Sequence, residues 1–69
     1  MQTIDRTAIG SRLRELRGNK PQSEVATATG VTTMAISQYE RGERIPNDEM
    51  KVKIAAYYNK SVEELFFTC

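Results

Sequence analysis

Few side chains in this protein could carry out covalent chemistry. Its 69 residues include no histidine and one cysteine, Cys69. The commonest general base and the commonest metal ligand are therefore missing. One Cys without His also excludes a structural zinc site. Cys69 cannot form an internal disulfide. In a reducing cytosol it reads as a frayed free thiol, with an intermolecular bridge as the alternative. The adjacent carboxylates of Asp48 and Glu49 could be a catalytic pair. They directly follow Asn47, however, and carboxylates in the first turn of a helix favour the positive end of its dipole. Capping is the reading adopted. With no nucleophile–base pair and no metal cluster, the chain is expected to be no enzyme and to need no cofactor or metal. Recognition chemistry remains. Thr33, Met34, Ser37 and Gln38 share one side of a helical segment, while Ile36 and Tyr39 point to the other. Hydroxyls, an amide and a thioether can hydrogen-bond and make apolar contacts, although that side carries no charge.

Those residues must be held by short helices, because no strand-like alternation of useful length occurs. Ile9, Leu13 and Leu16 recur at spacings of four and three, giving an apolar stripe on a first helix over residues 6–17. Gly18-Asn19 ends it. A second segment runs from about Pro21 to Thr29, with Val25 and Ala26 inward and Gly30 as its stop. Thr32 is a natural N-cap for a third segment, which buries Ile36 and Tyr39 and stops at Gly42. Ile45-Pro46 makes an extended link. Asn47 caps a fourth helix with Met50, Ile54 and Tyr58, helped by Ala55, on its buried face. Ser61-Val62-Glu63-Glu64 is a capping box opening a fifth, from which Leu65 and Phe66 close the core. The expectation is an all-α, compact five-helix domain over residues 1–69, with links of two to five residues.

A chain this short must rely on one small core. Its 39% hydrophobic and 28% charged content is that of a soluble globular protein, not a disordered one. No apolar run is long enough for a membrane span, and the N-terminal Met1-Gln2-Thr3-Ile4-Asp5-Arg6 has no signal-peptide core. A cytoplasmic location follows as the default. Net charge is only +1, yet residues 1–20 hold five cations against two carboxylates. Such a basic helix could touch phosphate or simply be solvated.

Two helices joined by a short Gly-containing turn form the helix-turn-helix arrangement, here about residues 21–41, whose second helix enters the major groove of DNA. From Ile9 to Phe66 the chain resembles the phage repressor and Cro type of helix-turn-helix regulator, also called the xenobiotic-response-element family. The resemblance rests on Ile9-Gly10-Ser11-Arg12-Leu13-Arg14-Glu15-Leu16-Arg17, Gln22-Ser23-Glu24-Val25-Ala26, Gly30-Val31-Thr32, Ile36-Ser37-Gln38-Tyr39-Glu40-Arg41-Gly42, Ile45-Pro46 and Ser61-Val62-Glu63-Glu64-Leu65-Phe66. It implies a lambda-repressor-like fold in a bacterial or phage-encoded cytoplasmic protein. It also implies base-edge positions at Thr33, Met34, Ser37 and Gln38, and phosphate contacts from Gln22, Thr32, Arg41 and Arg44. Arg17 and Glu40 match a pair that forms a largely buried salt bridge in some members; two unrelated surface charges are the alternative.

Chemistry can be set beside that resemblance. Gln38 can bond adenine bidentately, and a thymine methyl accepts Met34 or the methyl of Thr33. No Arg or Lys stands on this side for guanine, so A·T-containing half-sites are expected. The chain also departs from the family pattern. Pro21 replaces a capping Ser or Thr, leaving Lys20 as the default cap. The segment between Leu16 and Gln22 is about two residues short, and Thr29 stands where leucine is common. The implied function is a sequence-specific repressor binding double-stranded DNA at a palindromic operator as a homodimer. Leu65-Phe66-Phe67 is the candidate dimer surface, unless both rings pack intramolecularly. The rival reading keeps the fold but binds a protein partner, as an antitoxin or anti-repressor would.

Overall fold

The computed structural model describes residues 5–67, so Cys69 and the Met1–Ile4 part of the N-terminal stretch lie outside the described residues. Five helices follow in order: α1 Arg6–Arg17, α2 Gln22–Thr29, α3 Thr33–Glu40, α4 Asp48–Tyr57 and α5 Val62–Phe66. The fold is all-helical, as the periodicity predicts.

Most helices begin where a side chain satisfies free backbone amides. Asp5 Oδ1 accepts from the N–H groups of Thr7 at 3.0 Å and Ala8 at 3.2 Å to open α1. Thr32 Oγ1 accepts from Ala35 at 3.1 Å for α3, and Asn47 Oδ1 from Met50 at 2.9 Å for α4. At α5 the capping box closes in both directions, Ser61 Oγ to Glu64 N–H at 3.0 Å and Glu64 Oε1 to Ser61 N–H at 2.9 Å. These bonds hold the Glu64 carboxyl below its ordinary value.

The exception is α2, and it corrects the expectation that Lys20 caps it. Pro21 occupies the N-cap position in extended backbone with no side-chain hydrogen bond, and the helix starts at Gln22. Lys20 lies outside the cap: its side chain offers only donors, and its carbonyl accepts from Arg17 Nη1 at 2.7 Å. The link Arg41–Asn47 is likewise longer than the two to five residues expected. Arg41 already caps α3, Gly42 turns the chain at φ 76°, and fully buried Pro46 holds the rest extended.

Ile9 and Leu13 of α1 meet Val25 and Ala26 of α2, Ile36 and Tyr39 of α3, Ile54 and Ala55 of α4, and Leu65 and Phe66 of α5 in one buried cluster. Leu16, Met50 and Tyr58 sit at its edge, half-buried. Thr29, at the position where leucine is common, is buried, with its hydroxyl donating to the Val25 carbonyl at 2.7 Å. The last helix alters the proposed dimer surface. Phe66 is 0% and Leu65 2% exposed, so neither can face a partner; Phe67 is half-buried against the core, with Lys51 Nζ 5.3 Å from its ring centroid. Among the described residues no helix is long and apolar enough to cross a membrane.

Candidate nucleic-acid interface

Helices α2 and α3 are joined by Gly30-Val31-Thr32. Gly30 takes the left-handed conformation, φ 72° and ψ 21°, that ends α2 without the steric cost of a Cβ. Val31 is buried and donates its N–H to the Ala26 carbonyl at 3.0 Å. Thr32 is extended and caps α3. The turn is therefore pinned by a left-handed glycine, a core side chain and a cap, which together set the angle at which α3 leaves.

Behind α3 lies a charged anchor. Arg17 Nε reaches Glu40 Oε2 at 2.7 Å and Nη2 reaches Oε1 at 2.9 Å. The Glu40 side chain is 2% exposed and that of Arg17 17%. Gln22 Nε2 donates to the same Glu40 Oε1 at 3.0 Å, so α1, α2 and α3 converge on one carboxylate. Its hydrogen bond and charge raise the Arg17 pKa above its ordinary value. Burial, and then the Glu40 carboxylate, push the neighbouring Tyr58 phenol up to about 12. Among the described residues, no buried side-chain nitrogen or oxygen lacks a hydrogen-bond partner.

Gly10 makes this anchor possible, a feature the sequence reading passed over. A Cβ there would stand 2.3 Å from the Glu40 carbonyl oxygen, so α1 and α3 touch backbone to backbone. A glycine inside a helical pattern was the available signal.

On the opposite side α3 faces outward. Thr33 and Met34 are exposed, Met34 by 70%, while Ser37 and Gln38 are half-exposed. Ile36 and Tyr39 point into the core. Both nearby cations are folded onto this outward side. Arg41 Nη1 donates to Ser37 Oγ at 2.6 Å and Arg44 Nη1 to Gln38 Oε1 at 3.4 Å. Arg41 also forks onto Glu43, at 2.9 Å and 3.1 Å, which holds the Glu43 carboxyl below its usual value. Sequence reasoning assigned Glu43 no part, because an i, i+2 pair in a loop leaves no pattern. The basic first helix is partly turned inward: Arg12 Nη1 donates to the carbonyls of Glu64 at 3.2 Å and Leu65 at 2.8 Å.

The family model described as helix-turn-helix matches residues 11–65. No curated protein matches the chain. Solved structures similar along most of it include three regulators. The restriction-modification controller protein C.AhdI from Aeromonas hydrophila is 33% identical with a TM-score of 0.79, covering 90% of this chain and 97% of its own. The P22 c2 repressor, solved in complex with a synthetic operator, is 32% identical with a TM-score of 0.81, covering 84% and 91%. The clp gene regulator ClgR from Corynebacterium glutamicum is 28% identical with a TM-score of 0.78, covering 91% of this chain and 69% of its own.

Proposed function

This chain belongs to the helix-turn-helix family of DNA-binding transcriptional regulators, and on that premise we propose that it is a cytoplasmic repressor, bacterial or phage-encoded, that binds a palindromic operator as a homodimer. The observation that carries this reading is the outward side of α3. It presents Thr33, Met34, Ser37 and Gln38 away from the core, with Arg41 and Arg44 bonded onto its polar residues. Such a helix fits a major groove, where the amide, hydroxyls and methyl groups meet base edges. In this reading Thr32 donates its hydroxyl proton to a phosphate while its oxygen caps α3. Gln22 donates the second hydrogen of its amide, the first being given to Glu40. Arg41 and Arg44 supply the charge. Likeness to an operator-bound repressor and to a restriction-modification controller supports the same direction.

A pair of recognition helices needs a two-fold partner. Leu65 and Phe66 are excluded from that surface by burial, leaving the rim of Phe67 as what remains of the original candidate.

Selection of bound oligonucleotides from a random pool tests the proposal. The expected result is an enriched, two-fold symmetric motif whose affinity falls steeply between low and moderate salt. Gln38→Ala and Met34→Ala should each erase preference at particular positions of that motif. A pool that enriches nothing would favour a protein partner for this surface.

A further inference from the structure

Ser37 and Gln38 can each both donate and accept a hydrogen bond, but each of their oxygens already spends one of its two lone pairs on a guanidinium. Arg41 Nη1 occupies Ser37 Oγ at 2.6 Å, and Arg44 Nη1 occupies Gln38 Oε1 at 3.4 Å. Arg41 is held in place by its fork on Glu43, Nε to Oε2 at 2.9 Å and Nη2 to Oε1 at 3.1 Å. Two parallel charge-assisted bonds fix a guanidinium in orientation as well as position. What Ser37 and Gln38 have left to offer outward is a hydroxyl proton, an amide NH2 and one lone pair apiece, the last lying beside a guanidinium charge that opposes a second donor.

We propose that these two contacts turn the centre of α3 into a donor-biased reader, which favours a keto base, guanine or thymine, on the DNA strand it faces. Arg41 and Arg44 act here as positioning residues, and Glu43 keeps Arg41 in place. The inference rests on the reading that α3 enters the major groove. There guanine shows two acceptors, N7 and O6, and thymine shows the acceptor O4 with a methyl group. Adenine pairs its N7 acceptor with an amino donor, and cytosine presents an amino donor alone. An amino group brought to Ser37 or Gln38 would meet N–H or O–H donors, with a guanidinium charge directly behind the oxygen it needs. The bidentate adenine contact expected of a free glutamine requires Gln38 Oε1 as acceptor, and Arg44 both takes one lone pair of that atom and sets a positive charge against the incoming amino group. The methyl groups of Thr33 and Met34 then favour thymine over guanine where they reach the same base pair.

The experiment is selection from a random oligonucleotide pool with the full chain, alongside Gln38→Ala, Arg44→Met and Glu43→Gln. Gln38→Ala locates the base pair that Gln38 reads, as the position whose preference disappears. At that position the wild type should favour thymine or guanine over adenine and cytosine on the contacted strand by about tenfold, the range of one good base contact. Arg44→Met should raise adenine there to parity or above, while the remaining positions keep their preferences. Glu43→Gln should weaken preference at the neighbouring, Ser37-facing position. A mere phosphate role for Arg44 would lower affinity uniformly and leave the base ranking unchanged, and that result overturns the inference. Adenine or cytosine at the Gln38-dependent position in the wild type overturns it as well. If the wild type enriches no motif at all, the groove-reading premise itself fails and this inference falls with it.

Discussion

Glu40 carries a charge that the core can hold only while it is paired. Both its oxygens are bonded, to Arg17 twice and to Gln22 once, and a buried ion left without its partner costs far more than the pair itself contributes. Glu40→Ala strands the Arg17 guanidinium and the Gln22 amide together. It should destabilise the fold by on the order of 3 kcal/mol, the low end for a broken buried pair because Arg17 keeps some contact with water. The double change Arg17→Met/Glu40→Leu removes both charges and should lose less than Glu40→Ala alone. Urea titrations of the three proteins decide the matter; equal stability of all three would mean the pair is worth nothing. At the surface the sign reverses. Glu43 neutralises Arg41 from a half-exposed position, so it competes with DNA phosphate for the same guanidinium. Glu43→Gln should tighten binding to random-sequence DNA at low salt, because Arg41 then meets its phosphate without first giving up a carboxylate. Unchanged affinity would show that Arg41 never reaches phosphate.

At the scale of elements, the approach of α1 to α3 depends on one missing methyl group. Gly10→Ala should add about 1 kcal/mol of helix propensity to α1. The new Cβ, however, would lie 2.3 Å from the Glu40 carbonyl, a backbone atom that cannot rotate away. Helix α1 must then lift off α3, and overpacking of this kind costs typically about 1–3 kcal/mol or more. A lower thermal midpoint than wild type is expected; a higher one would mean the two helices separate freely. The cap of α5 gives a pH signature. Glu64 is held below its ordinary carboxyl range, first by the Ser61 backbone N–H and then by its hydroxyl. Its contribution is therefore fully present above the ordinary carboxyl value of 4.5 and is lost as pH falls through the lower, folded-state value. The difference in thermal midpoint between wild type and Glu64→Gln should shrink as pH drops from 6 toward 3. A constant difference would remove the carboxylate from the cap. These cases also mark what could be read from the sequence. Thr32, Asn47 and Ser61 were legible as caps because each bond closes within three residues. Gly10 and the long Arg41–Asn47 link were not, because a helix-to-helix approach has no local spacing. The hand-over of the Lys20 carbonyl to Arg17 is likewise a tertiary event. The outward side of α3 was legible from its period. That Arg41 and Arg44 lie on it was not, since long side chains in a loop obey no period.

For the whole molecule, the distribution of charge decides how DNA can be held. Net charge is +1, and the N-terminal excess of cations is partly engaged within the molecule. Arg12 bonds the carbonyls ending α5, Arg17 is taken by Glu40, and Lys20 Nζ lies 3.3 Å from the Tyr57 hydroxyl. On the proposed reading one copy brings Arg41 and Arg44 as its cationic phosphate contacts, with Gln22 and Thr32 contributing neutral donors. In the proposed dimer, counterion release from four guanidiniums would give a log–log salt slope of about −3 to −4. Electrostatics this weak favour the proposed pairing, in which two half-sites are joined. The two α3 helices of a two-fold dimer would reach grooves one helical turn apart, roughly 34–36 Å. Inserting about five base pairs between the selected half-sites turns the second one to the far face of the duplex. Affinity measured by fluorescence anisotropy should then fall to that of an isolated half-site. If it is indifferent to spacing, the subunits bind independently and the two-fold arrangement is wrong. Loss at both the half-turn insertion and a second, full-turn insertion of about ten base pairs would show a rigid dimer, in which distance as well as face is fixed by the protein.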